Sequence, residues 1–345
     1  MKINVGLVGF GFSGRIFHAP FIAALPEFSL KTIFTTRVSE VQATYPMAKV
    51  VDTLEQLLQD PEIDLIINTS PTENHYNVTK MALEAKKHVV VEKPFTVSSR
   101  EAQELIELSE KQQKKISVYQ NRRWDADFLT IQKLIKEDML GSIQSFESNY
   151  HRYRPAIRSE RWREQARPGS GILYDLGAHL IDQSLLLFGR PEKIFADIQS
   201  QKSSNPVDDY FHIILYYQKL RVHLNSQSFS DVGPRFKVVG DKATFMKWGM
   251  DVQEAQLQKG LKPTDTAFGV EAPDQWGELT EYAVEHLAKT QVSSLPGRYL
   301  EFYQKLYLSL TKNQTPPVSA ESAKDVITVI EKARLSSEQS AVVSF

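Results

Sequence analysis

Lys93 follows the apolar run "HVVVE" at once and is held by Pro94, which puts an ammonium at the end of a buried strand. An amine in that place can stabilise negative charge that develops on an oxygen of a bound molecule. A second constellation lies in "YDLGAHLID", where Asp175 and His179 stand four apart at the start of a helical pattern and project from one face. A carboxylate beside an imidazole fixes its tautomer and suits it to act as a general base. Each residue also has a plain alternative: Lys93 as a surface lysine, Asp175 as a helix cap, His179 as a satisfied core histidine.

A third signal precedes both. In "VGLVGFGFSGRIFHAP" the glycines Gly9, Gly11 and Gly14 follow an apolar strand and open a helical pattern, with Phe10, Phe12 and Ser13 between them. Gly9 permits a tight turn, Gly11 lets a pyrophosphate approach backbone N–H groups, and Gly14 lets helix and strand pack closely. A dinucleotide is the expected ligand. Which one depends on the end of the second strand, where a carboxylate would accept a bond from the ribose 2′-hydroxyl of NAD. The residue 21 positions after Gly14 is Thr35, followed by Thr36 and Arg37. Two hydroxyls and a guanidinium suit a 2′-phosphate, so NADP is expected, with NAD the alternative. Arg15 either adds charge there or stays in solvent.

The elements that must position these groups alternate six times between strand and helix up to Arg122: "INVGLV", "LKTIFT", "AKVVD", "IDLIINTS", "HVVVEKP" and "ISVYQNR", with helical patterns between. Right-handed crossovers make this a doubly wound parallel sheet. Ligands of such sheets bind beyond the carboxyl ends of the strands. Those ends supply Ser70, Pro71, Thr72, Asn74 and His75, then Glu92 with Lys93, and Asn121. Past residue 122 longer strands succeed one another, several alternating apolar with polar residues, as in an antiparallel sheet with one face covered. Helical patterns include "YDLGAHLIDQSLLLFG", "ELTEYAVEHLA" and two more towards the carboxyl end. The expected division is 1–122 for dinucleotide binding and 123–345 for an α+β substrate and dimerisation domain, with the last helices packing back on the first.

The chain has 345 residues, 41 basic and 42 acidic, so nothing points to nucleic acid or an anionic membrane as partner. The basic stretch "HRYRPAIRSERWREQAR" reads rather as a loop over substrate or cofactor, or as a subunit contact. Cysteine is absent, which excludes thiol nucleophiles and thiolate metal sites. No cluster has metal-ligand spacing. A cytoplasmic protein is the default expectation.

With these residues in hand, the chain resembles the Gfo/Idh/MocA family of dehydrogenases. The motifs "GFGFSG", "SPTENH", "EKPFTV", "NRRWD" and "YDLGAHLID" occur in the family's order along nearly the whole sequence. "GRIFHAP" and "RWREQARPGSGILYDLGAHLIDQ" are similar to the branch that contains NADP-dependent scyllo-inositol dehydrogenase. The resemblance implies an N-terminal Rossmann domain, a C-terminal domain with a large, mostly antiparallel open sheet, and a homodimer or homotetramer formed through that sheet. It implies that Lys93 orients substrate and cofactor, that Asp175 bonds substrate or lysine, and that His179 takes the hydroxyl proton. The expected activity is hydride transfer between a nicotinamide and a secondary alcohol of a polyol or sugar, scyllo-inositol first. The alternatives are a sugar or aldose dehydrogenase using either cofactor, and a non-catalytic dinucleotide-sensing regulator.

Overall fold

The computed structural model describes residues 2–158, 160, 162–282 and 287–345. The chain divides into two compact units, one of residues 1–121, 253–268 and 298–324, the other of 122–252, 269–297 and 325–345.

In the first unit β1 (Ile3–Val8), β2 (Phe28–Phe34), β3 (Lys49–Val51), β4 (Leu65–Asn68), β5 (His88–Glu92) and β6 (Ile116–Tyr119) form one sheet in the order β3-β2-β1-β4-β5-β6. All its pairings are parallel. A parallel sheet covered by helices must bury both strand faces. β4 does so: Leu65, Ile66 and Ile67 have no solvent exposure. The helices between its strands are α1 (Ala19–Ala24), α2 (Val38–Thr44), α3 (Leu54–Leu58), α4 (His75–Glu84) and α5 (Ser99–Gln112). Two of them start on a side-chain cap: the Thr53 hydroxyl accepts the Gln56 N–H ahead of α3, and the Ser98 hydroxyl accepts the Glu101 N–H ahead of α5. The helical pattern expected to run from Ser13 is interrupted. Gly14–His18 forms a wider π-type turn ahead of α1. Such turns often sit at functional sites, because the extra residue re-aims the side chains around it.

The second unit begins with α6 (Ala126–Lys136) and carries β7 (Ile143–Asn149), α7 (Ala178–Phe188), β8 (Lys193–Gln199), β9 (Tyr210–Tyr216), β10 (Arg221–Gln227), β11 (Phe236–Gly240) and β12 (Ala243–Lys247). After α8 (Gln253–Gln258), which belongs to the first unit, come β13 (Gly277–Tyr282) and β14 (Leu287–Val292). α9 (Tyr299–Lys312), α10 (Ala320–Gln339) and β15 (Val343–Ser344) complete the chain. The nine strands of the second unit run β14-β13-β12-β11-β7-β10-β9-β8-β15, antiparallel except for the β7–β10 pair. Phe211, Ile213 and Leu215 alternate inward along β9 and Val222 and Leu224 along β10, so one face holds the core.

The stretch Glu278–Ala288, expected as a helix, is instead mostly strand, with residues 283–286 of it outside the described residues. Its Glu, Ala and Leu content favours a helix locally, but pairing and burial decide. Leu279 packs inward, the exposed pair Glu278 and Lys289 meets at 2.9 Å, and Gly277 sits so close to the Phe245 ring that a Cβ would come within 2.3 Å.

Candidate functional site

The glycine loop joins β1 to the π-type turn. Gly9 has φ +92°, and a Cβ there would press on Thr69 Oγ1 at 2.8 Å. The Thr69 hydroxyl donates to the carbonyl oxygen of Val8 (2.7 Å) and also faces that of Gly9 (3.2 Å), pinning the turn to the end of β4. A Cβ on Gly14 would lie 2.5 Å from the Gly9 oxygen, so this glycine allows the close approach of helix to strand. Gly11 differs from both: a Cβ there would meet nothing within 4 Å and would project into open space over the loop. That space lies before a helix's first N–H groups, which have no acceptor within the helix and favour an anion. The loop fits a pyrophosphate.

Below the loop a buried carboxylate gathers its neighbours. The Ser13 hydroxyl donates to Glu92 Oε1, His18 Nε2 lies 3.0 Å from the same oxygen, and the Lys93 N–H donates to Oε2 at 3.0 Å. Burial pushes the Glu92 pKa up, but the bonds and charge of His18, the Ser13 hydroxyl and the Lys93 ammonium outweigh it and hold the group down at about 2. His18 has no exposure; its Nδ1 lies 2.8 Å from the Tyr303 hydroxyl on α9, which also reaches the Phe17 carbonyl at 2.8 Å. Glu92 therefore ties the glycine loop to the backbone of Lys93.

The other strand ends are cross-linked too. The His75 imidazole is buried, with Nδ1 2.7 Å from the Pro94 oxygen and Nε2 2.9 Å from the Ser70 oxygen. It thus bridges the loops after β4 and β5. Ser70 also donates from its hydroxyl to Asn68 Oδ1 at 2.7 Å, and Thr72 opens a short 3-10 turn through Asn74. Pro71 and Asn74 are exposed, Lys93 is half-buried, and Asn121 is buried.

At the end of β2 the Thr35 hydroxyl accepts the Arg37 N–H at 3.1 Å, and Thr36 faces solvent. The sequence shows no carboxylate at this position, yet the fold delivers one: Glu40 receives Arg37 Nη1 at 2.7 Å and Arg15 Nη1 at 3.0 Å, one on each oxygen. The Arg37–Glu40 spacing of three on a helix start was the signal available for it. Beside this cluster an open cleft of about 440 Å³ is lined by Phe10, Phe12, Arg15, Ile16, Thr44, Tyr45 and Gln258. Buried Phe10 meets the Tyr45 ring edge-on, while Phe12 is exposed.

In the second unit Asp175 lies in a π-type turn, Leu173–Gly177, and His179 in the first turn of α7. Asp208 caps that turn: it accepts the Leu173 N–H at 2.7 Å, pairs with Arg334 at 2.8 Å, and leaves room only for a glycine at position 171. Half-buried Asp175 is held by Arg163 (3.2 Å) and Arg152 (3.8 Å). His179 is buried. Asp182 and Gln183, further along the same helix, are buried. Asp182 takes a two-pronged bond from Arg123 at 2.8 and 2.6 Å. Gln183 donates to the Arg122 carbonyl and accepts from Arg235. In the basic stretch 151–167, residues 159 and 161 lie outside the described residues, and the Arg163 guanidinium stacks 4.4 Å from the centre of the half-buried Trp162 ring. Among the described residues no group of three metal-ligating side chains gathers, and no helix is long and apolar enough to cross a membrane.

Known proteins match both units. Residues 3–120 match the model described as an oxidoreductase family's NAD-binding Rossmann fold, and residues 132–345 that family's C-terminal alpha/beta domain. The chain is 40% identical to scyllo-inositol 2-dehydrogenase (NADP(+)) IolW of Bacillus subtilis, over 99% of this chain and 95% of that one. It is 39% identical to the uncharacterized oxidoreductase YdgJ of Escherichia coli, over 96% and 95%. Among solved structures, the oxidoreductase yvaA from Bacillus subtilis superposes with a TM-score of 0.97 at 39% identity, covering 100% of this chain and 99% of that one. A glycine loop shaped for a pyrophosphate, a six-stranded parallel sheet, a nine-stranded partner sheet and these full-length matches agree, and the chain belongs to the Gfo/Idh/MocA family of oxidoreductases.

Proposed function

We propose that this oxidoreductase is an NADP-preferring dehydrogenase that interconverts a secondary alcohol and a ketone of a polyol or sugar, with scyllo-inositol and its 2-keto form as the first pair to try. The observation that carries the reading is the Glu92 tie, which joins the dinucleotide loop at Ser13 to the backbone of Lys93. The similarity to an NADP-dependent scyllo-inositol dehydrogenase supports the substrate class and the cofactor.

Gly9, Gly11 and Gly14 hold the pyrophosphate, with Phe10, Phe12 and Ser13 shaping the loop. Thr35, Thr36 and Arg37 take the adenosine ribose and its 2′-phosphate. Ser70, Pro71, Thr72, Asn74 and Asn121 flank the nicotinamide half, and His75 fixes the loops that carry it. When bound, the nicotinamide supplies the hydride acceptor or donor. Lys93 places an ammonium by the oxygen that becomes an alkoxide, and His179 takes that hydroxyl's proton. Asp175, steadied by two arginines, accepts a bond from a substrate hydroxyl. The half-buried outer face of the nine-stranded sheet, which presents Tyr210, His212, Ile214 and His223, is the surface on which a second copy pairs.

The test mixes the protein with NADPH and a panel of inososes and keto-sugars and follows the reduced-nicotinamide absorbance. Turnover is expected with at least one inosose and should fall by about 10²-fold or more in Lys93→Ala and in His179→Ala, with NADPH affinity retained. Tight NADPH binding without turnover across the panel at high protein concentration would reject the enzyme reading in favour of a sensor.

A further inference from the structure

Glu40 pairs with Arg37, one of the residues proposed above to take the adenosine ribose and its 2′-phosphate. Each of its oxygens is taken by a guanidinium from a different element, Arg37 at the start of α2 (2.7 Å) and Arg15 on the π-type turn (3.0 Å). The three side chains are between 41% and 50% exposed, so a solute can reach all of them. Arg15 also lines the open cleft beside the glycine loop, together with Phe10 and Tyr45. The Thr35 hydroxyl, by accepting the Arg37 N–H, fixes the backbone from which that guanidinium extends. The bond from Arg37 lowers the Glu40 pKa, so the carboxyl is an anion at neutral pH.

We propose that Glu40 is a specificity-determining residue: an internal anion that occupies the two guanidiniums and competes with the 2′-phosphate of NADP for them. This rests on the NADP reading above. A phosphate carries more charge than a carboxylate and offers three acceptor oxygens, so it displaces Glu40 and takes both arginines. A bare ribose 2′-hydroxyl cannot displace it. NAD therefore binds with the Arg15–Glu40–Arg37 cluster closed, and NADP binds only after opening it. Glu40 narrows the gap between the two cofactors below what two free arginines would give.

Calorimetric titration with adenosine 2′,5′-bisphosphate and with AMP reads this without catalysis. Each exposed ion pair weakens its rival by only a small factor, so Glu40→Gln should tighten bisphosphate binding about tenfold and change AMP binding by less than about twofold. The gain should shrink when Arg37→Ala is added and vanish when Arg15→Ala joins it. Bisphosphate binding to Glu40→Gln that is equal to or weaker than wild type overturns the proposal. The cofactor reading fails separately, when wild type prefers bisphosphate no more than AMP. A preference that then appears only in Glu40→Gln would keep Glu40 as the rival while rejecting NADP as the working cofactor.

Discussion

Two glutamates flank the same glycine loop, and they do opposite work. Glu92 is buried and gathers Ser13, His18 and the Lys93 N–H; Glu40 is exposed and gathers Arg15 and Arg37. Both carboxyls are held below the ordinary range, yet for different reasons. At Glu92 burial works against ionisation and is overcome by specific bonds, whereas at Glu40 the Arg37 bond dominates in water. A carboxylate that has lost its water cannot release its partners without leaving them unpaired in a poorly solvated place. One still in water can exchange a partner for a solute at little cost. Burial, not partner number, separates the fixed frame of the site from its exchangeable part.

Removing each carboxylate is the strongest way to break this comparison. Glu92→Ala leaves the Ser13 hydroxyl, His18 and the Lys93 N–H without their common acceptor, and breaking such buried clusters costs about 3 kcal/mol or more. Urea unfolding should show a loss of that size, and Glu92→Gln, whose amide oxygen still accepts, should lose less. A loss in Glu92→Ala no larger than that of a surface substitution would deny the cluster its structural role.

Acid offers a second, slightly smaller test. Glu92 has a folded pKa of about 2 against an ordinary 4.5, so its ionised form stabilises the fold fully above about 4.5, and this is lost as pH falls through about 2. The shift corresponds to roughly 3 kcal/mol at most. Between pH 4.5 and 2 the urea midpoint of wild type should fall more steeply than that of Glu92→Gln. Parallel slopes would mean that another carboxylate governs the acid limb.

What the sequence made legible follows the same division. The glycines, the six parallel strands and the caps at Thr53 and Ser98 are local patterns, and each is readable from spacing alone. The partners of Glu92 are not, because Ser13 and His18, with Tyr303 behind His18, meet it only once the glycine loop, the π-type turn, the end of β5 and α9 pack in the same unit. Glu40 is hidden for a simpler reason: it lies in the first turn of α2 and not at the end of β2, where an acid for the ribose would stand. The burial of Asp182 and Gln183 is likewise not legible, because Arg123 and Arg235, which meet them, come from other elements of the second unit. At Glu278–Ala288 the local pattern points the wrong way. Helix-forming composition lost to pairing with β12, where the bare Gly277 lets the Phe245 ring close in.

The smallest expected effect sharpens the comparison most. Glu40→Ala should leave the urea midpoint of the protein without ligand unchanged, at low salt and in 1 M salt alike. Its two ion pairs are already half in solvent, and screening leaves such pairs nearly without net effect on folding. The same substitution should still move binding of a 2′-phosphate, because the guanidiniums it frees are then met by a ligand that has not lost half its bonds to a rival. A midpoint that drops measurably in Glu40→Ala would make the cluster part of the frame, and a phosphate that had to open it would be opposed by the fold itself. Stability unchanged with affinity altered, and the change lost together with Arg15 and Arg37, is the combination an exchangeable anion produces.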